Sequence, residues 1–105
     1  DTKEIDWETL QENVRIKTLV RDEERRLQMS IMNLGSNVKR PTHLHPDIEW
    51  VYVLSGSFSD ENGNYEKGHF LANKKDSQHT LVVGPDGCEI ILVWSGSVKI
   101  IHDEE

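Results

Sequence analysis

His43-Leu44-His45-Pro46-Asp47-Ile48-Glu49 runs straight into Trp50-Val51-Tyr52-Val53-Leu54-Ser55-Gly56. The second half is rich in β-branched and aromatic residues and predicts a strand over Ile48 to Leu54. The first half predicts an extended segment, because Pro41 cannot sit in a central ladder and biases Arg40 away from helix. In a continuous strand His43, His45 and Glu49 share parity and point to one face. Pro46-Asp47 is expected to bend the chain, so the parity holds firmly for His43 and His45. Two imidazoles with one carboxylate can grip a divalent metal, and imidazole suits Zn, Cu, Fe and Ni. The same residues would equally suit a solvent-facing edge strand beside a proline.

Outward from this stretch the apolar pattern keeps a period near two, with frequent turn residues. That pattern predicts an all-β sandwich or barrel. Val14, Ile16, Thr18 and Val20 fall on one face, with Arg15 and Lys17 on the other. Leu27 to Leu34 repeats the alternation, and Met29 and Ile31 are expected on its pocket side. Gly56 is expected to turn the chain, Glu61-Asn62-Gly63 to form a hairpin turn, and Gly84-Pro85-Asp86-Gly87 another. Cys88 to Trp94 predicts a buried strand, and Ser97 to Ile101 a last one. The total is nine or ten short strands, no long helix, no repeat and no linker.

The chain has 105 residues and a formal net charge of −7. That length suits one domain. Residues 1–13 are expected as an arm or helical turn pinned by Trp7, residues 14–101 as the barrel, and 102–105 as a polar tail. An acidic chain without a basic stripe is a poor binder of nucleic acid or of anionic membranes. The lone Cys88 excludes an internal disulfide framework and any Cys-x-x-Cys zinc ribbon. No apolar run approaches the ~20 residues of a membrane span. A cytoplasmic location is expected. The chain begins at Asp1 rather than Met, which leaves residues before it open.

The stretch from His43 to Gly56 resembles the first motif of the cupin superfamily, G(x)5HxH(x)3–4E(x)6G, with Gly35, two positions early as a loop insertion would place it, as its leading glycine. Gly68 and His79 fall in register with the second, G(x)5PxG(x)2H(x)3N. Lys74 stands where that motif has proline, Asp76 where it has glycine, and Val83 where asparagine is common. The run Tyr52 to Tyr65, with Gly68, His79-Thr80 and Gly87-Cys88, is similar to ChrR-type small cupins. The resemblance implies a double-stranded β-helix, or jelly-roll barrel. It implies one divalent transition metal (Fe, Mn, Ni or Zn) held by His43, His45, Glu49 and His79. It further implies a small-molecule ligand in the barrel and a metal-dependent, dioxygenase-like enzyme. The alternative is a ligand- or stress-sensing module of ChrR type. With one cysteine and a short arm, such a module is expected to act through a separate protein partner.

His69 suits either an exposed strand position or a place beside the metal ligands, and His102 is expected in solvent. Cys88 is expected in the core. Trp50 and Tyr52 oppose Glu49 in parity, so they face outward, either covered by Trp7 or forming a contact such as a homodimer. No general base accompanies the proposed ligands.

Overall fold

The computed structural model describes residues 1–45, 47–96 and 99–100. For His43, Leu44, Lys99 and Ile100 only the backbone is described. Pro46, Ser97, Val98, Ile101 and the tail with His102 lie outside the described residues, as does the His43 side chain.

The chain is all-β. Among the described residues ten strands run β1 (Glu8–Gln11), β2 (Val14–Asp22), β3 (Leu27–Leu34), β4 (His43–Leu44), β5 (Glu49–Asp60), β6 (Gly63–Glu66), β7 (Phe70–Asn73), β8 (Gln78–His79), β9 (Val82–Ser95) and β10 (Lys99–Ile100). The large antiparallel sheet has the order β1-β2-β3-β9-β5-β6, with β7 also pairing β5. The smaller one has the order β10-β4-β8. Its register sets His43 opposite His79 and Leu44 opposite Gln78. Backbone bonds from Arg40 to Leu81 and from Val83 to Val38 extend this pairing toward the barrel wall. Between the layers lie Val14, Leu34, Val51, Val53, Phe58, Leu81, Ile90 and Leu92. Burying each such side chain contributes about 1.5–3 kcal/mol. Among the described residues, no helix is long and apolar enough to cross a membrane.

Several local expectations change in the three-dimensional structure. The expected arm supplies a 3-10 turn at Thr2–Glu4 and the edge strand β1, paired with β2. Trp7 does not cover Trp50 and Tyr52. Its ring lies 4.7 Å from the Arg15 guanidinium and 4.6 Å from Lys17 Nζ. Lys17 Nζ also donates to the Thr2 carbonyl at 2.8 Å, so this lysine is buried by the fold of the amino-terminal segment. Val20 is 56% exposed, because the β2–β3 register shifts between Thr18 and Val20 and reverses the face. A one-residue slip turns every later side chain over.

The pocket face of β3 is the even one. Gln28, Met32 and Leu34 line the cavity, whereas Met29 and Ile31 do not. Both faces of this central strand carry apolar residues, so alternation alone cannot choose between them.

Two expected turns are continuous strand. Gly56 lies within β5 at φ +71°, and Gly84 to Gly87 lie within β9. The β5–β9 register passes from Gly56↔Cys88 to Phe58↔Val83, so β9 bulges between these pairs. A Cβ on Gly56 would collide with the Gly87 carbonyl, whose carbon would lie 2.7 Å away. The bulge therefore absorbs the glycines without ending the strand. At the β5–β6 hairpin, Asp60 pairs with Gly63, which makes Glu61-Asn62 the turn. Asp60 Oδ1 accepts from the Asn62 N–H at 2.8 Å, so a side chain stabilises the turn in place of an Asn-Gly pair.

Candidate metal centre

β5 begins at Glu49 and β8 ends at His79, on opposite sides of the barrel interior. His45 follows β4, with its N–H donating to the Ser77 carbonyl at 2.9 Å. The three side chains are buried and converge. Each offers a ligand atom within 4.8 Å of the others. His45 Nε2 lies 3.2 Å from Glu49 Oε1, and the two imidazole centroids are 4.9 Å apart. The bend at Asp47 thus does not prevent convergence. The strand register also brings the His43 backbone opposite His79.

Each converging side chain has a holder that sequence reasoning missed. Ser77 Oγ lies 3.2 Å from His45 Nδ1 and donates to the Lys74 carbonyl at 2.5 Å. With its proton committed to Lys74, Ser77 is an acceptor for His45 Nδ1–H. Asn73 pairs with Glu49 across β5–β7 and donates to Glu49 Oε1 at 3.0 Å. His79 Nδ1 lies 3.0 Å from Asp60 Oδ2, and the Asp60 side chain is only 2% exposed. An acceptor at Nδ1 leaves Nε2 as the basic nitrogen, the tautomer that a metal-ligating histidine needs. No spacing rule reveals Asp60, Asn73 or Ser77, because each is set by pairing between distant strands.

The β5–β6 turn clamps β8 at a second point. Both Glu61 carboxylate oxygens accept from the Thr80 N–H, at 2.9 and 3.1 Å, and this holds the Glu61 carboxyl below its ordinary pKa. Desolvation and then the Asp60 charge raise the Tyr65 pKa. Asp76 adopts φ +67°, the left-handed conformation that glycine supplies most easily, and donates its N–H to the His45 carbonyl at 2.8 Å.

Glu49 and His79 line a cavity of about 350 Å³ with Ile16, Met32, Leu34, Val51, Leu92 and Trp94. Arg40 and Thr18 add polar groups to its wall. His69 is exposed, accepts from the Glu66 N–H through Nδ1 and packs its ring on Tyr65. Cys88 is buried, and desolvation followed by the Glu89 charge pushes its thiol up to about 11.

The double-layered all-β barrel, with imidazoles and a carboxylate on its inner wall, is that of the cupins. The chain belongs to the ChrR Cupin-like domain family, whose model matches residues 1–99. No curated protein matches it in sequence. An RmlC-like cupin from Ralstonia eutropha JMP134 superposes with a TM-score of 0.91 at 16% identity, covering 100% of this chain and 72% of that one. An acetylacetone dioxygenase from Acinetobacter johnsonii gives 0.84 at 13% identity, over 93% and 73% of the two chains. The anti-sigma factor ChrR, in its complex with SigE from Rhodobacter sphaeroides, gives 0.79 at 22% identity. The alignment covers 90% of this chain and 51% of that one, so this chain spans about half that length.

Proposed function

We propose that the protein is a metal-dependent enzyme of dioxygenase type acting on a small organic molecule inside the barrel. One divalent transition metal would be held by His43, His45, Glu49 and His79. The observation that carries this reading is the buried convergence of His45, Glu49 and His79 within 4.8 Å, with Glu49 and His79 in the wall of a cavity. Imidazole and carboxylate donors suit Fe, Mn, Ni or Zn. A bound metal would supply a Lewis acid and coordination positions for oxygen or substrate. The chain's own part is preorganisation. Ser77 and Asp60 hold the two rings, Asn73 orients Glu49, and the apolar wall excludes water.

Elemental analysis of protein purified without chelators tests the centre. The expected result is about one metal per chain, lost in His45→Ala. Less than ~0.1 metal per chain with no rebinding would remove the reading. Oxygen consumption with a diketone panel tests the reaction. Inactivity after reconstitution with Fe, Mn, Ni and Zn in turn would count against an enzyme.

A sensing role through a separate protein partner is the second reading. The family match and the likeness to ChrR, seen in complex with SigE, favour it. Recovery of a sigma factor in a pull-down would support it. A cytoplasmic location and a homodimer complete the proposal. Trp50, Tyr52 and Phe70 are 45%, 44% and 62% exposed on adjoining strands, and a second copy would cover them. Sedimentation should then give twice the chain mass, reduced to one by Trp50→Lys.

A further inference from the structure

Arg40 places a positive charge in the wall of an otherwise mostly apolar cavity. Its backbone N–H donates to the Leu81 carbonyl at 2.8 Å, which fixes the chain just before β4. The side chain is half-buried and donates through Nη1 to the Gln11 side-chain oxygen. Gln11 is neutral, and among the described residues Arg40 makes no ion pair. Burial lowers the guanidinium pKa from its ordinary value, with no carboxylate acting in the other direction. Glu8, Arg21, Glu49 and His79 also line the cavity: Glu8 and Arg21 are exposed and opposite in charge, whereas Glu49 is buried, accepts from Asn73 and belongs with His79 to the candidate metal centre.

A partly desolvated cation with only an amide for a partner has lost hydration that nothing in the fold returns. Guanidinium carries five donors in a planar fork that matches a carboxylate or a delocalised oxyanion. One bond to Gln11 leaves most of that fork unused. The chain's net charge of −7 repels anions at long range, so a local cation is needed to hold one. The cavity volume of about 350 Å³ fits a small molecule, and the walls of Leu34, Val51, Leu81 and Leu92 require it to be largely apolar.

We propose that the cavity takes a small amphiphilic oxyanion, a carboxylate or enolate with an apolar body, and that Arg40 binds its charged group. This rests on the reading of the cavity as the substrate site and narrows its substrate class. Arg40 is then a specificity-determining residue.

Hexanoate and hexanamide share one apolar tail and differ in head-group charge. Calorimetric titration of both into the full chain at neutral pH, before and after chelator treatment, is the test. Hexanoate is expected to bind about tenfold tighter in both preparations, as a charge-assisted pair requires. Arg40→Gln should abolish the preference by weakening hexanoate far more than hexanamide, and Arg40→Lys should keep part of it. Equal affinities in the wild type, no binding of either probe, or a preference that survives Arg40→Gln overturns the proposal. A preference that vanishes on chelation assigns the anion to a metal and also overturns it. If Arg40→Gln does not fold by circular dichroism, the wild-type comparison and Arg40→Lys still decide. A chain that takes up no metal yet prefers hexanoate would sink the metal centre alone, so the two failures are distinguishable.

Discussion

The Asp60 carboxylate joins its own hairpin turn to His79. One oxygen accepts from the Asn62 N–H at 2.8 Å, and the other lies 3.0 Å from His79 Nδ1. Because the Asp60 side chain is buried and held at both oxygens, it can orient a ring on a strand of the other sheet. Asp60→Asn keeps the size but loses the charge, and its amide can present a donor to Nδ1. Metal affinity should fall about 10–100-fold, as typically follows loss of a partner that orients a ligand. Nitrogen-15 NMR of the metal-free protein gives a separate readout. His79 should carry its proton on Nδ1 in the wild type, and loss of that preference is expected in the variant.

Gly56 and Gly87 meet where β5 and β9 bulge past each other. Gly56→Ala would force a Cβ into the Gly87 carbonyl at a φ of +71°. Left-handed strain and overpacking add here, each about 1–3 kcal/mol. Thermal denaturation should show a loss of about 3 kcal/mol or more. A variant as stable as the wild type would mean that the bulge can relax.

Asp76 holds a left-handed conformation at a position where the cupin motif has glycine. Asp76→Gly should stabilise the chain by about 0.5–1 kcal/mol, the relief of strain exceeding the added unfolded-state entropy. Asp76→Val, β-branched, should destabilise it. Chemical denaturation midpoints measure both. Because Ser77 follows directly, Asp76→Val should also loosen the hold on His45.

Cys88 makes a pH-dependent contribution to stability. Its folded pKa of about 11 lies above the ordinary value of 9.0. Below about pH 9 the thiol is protonated in both states, and the full contribution is present. As pH rises toward 11 the unfolded chain loses that proton first, so stability falls, in total by about 2–3 kcal/mol. Cys88→Ala should be less stable at neutral pH because a cavity replaces the thiol, but should lack this alkaline loss. Urea denaturation at several pH values separates the two effects. The native thiol should also react slowly with disulfide reagents, since the thiolate is the nucleophile.

Much of the barrel was legible along the chain because strand alternation is a local property. Val14 and Ile16 face inward as their spacing implies, and Val51 and Val53 lie on the core side of β5 opposite Trp50 and Tyr52. The failures sit where alternation is interrupted or two-sided. The slip near Leu19 exposes Val20, and the bulge at Gly87 continues a strand where glycine and proline signal a turn. On β3, apolar residues occupy both faces, so only pairing with β9 decides that Met32 and not Ile31 faces the cavity.

The sequence by itself determined the all-β class, the family resemblance and the candidate donors His43, His45, Glu49 and His79. Residue type and short spacing carry the class and the candidates His43, His45 and Glu49, and His79 enters through the family resemblance. Only the tertiary structure decided which groups hold His45, Glu49 and His79. Asp60 reaches His79 across 19 residues, Ser77 reaches His45 across 32, and Asn73 reaches Glu49 across 24. Arg40 likewise gains significance only once the strands close a cavity around it. Pairing between distant strands follows from the summed burial of whole faces, which no local stretch of sequence contains.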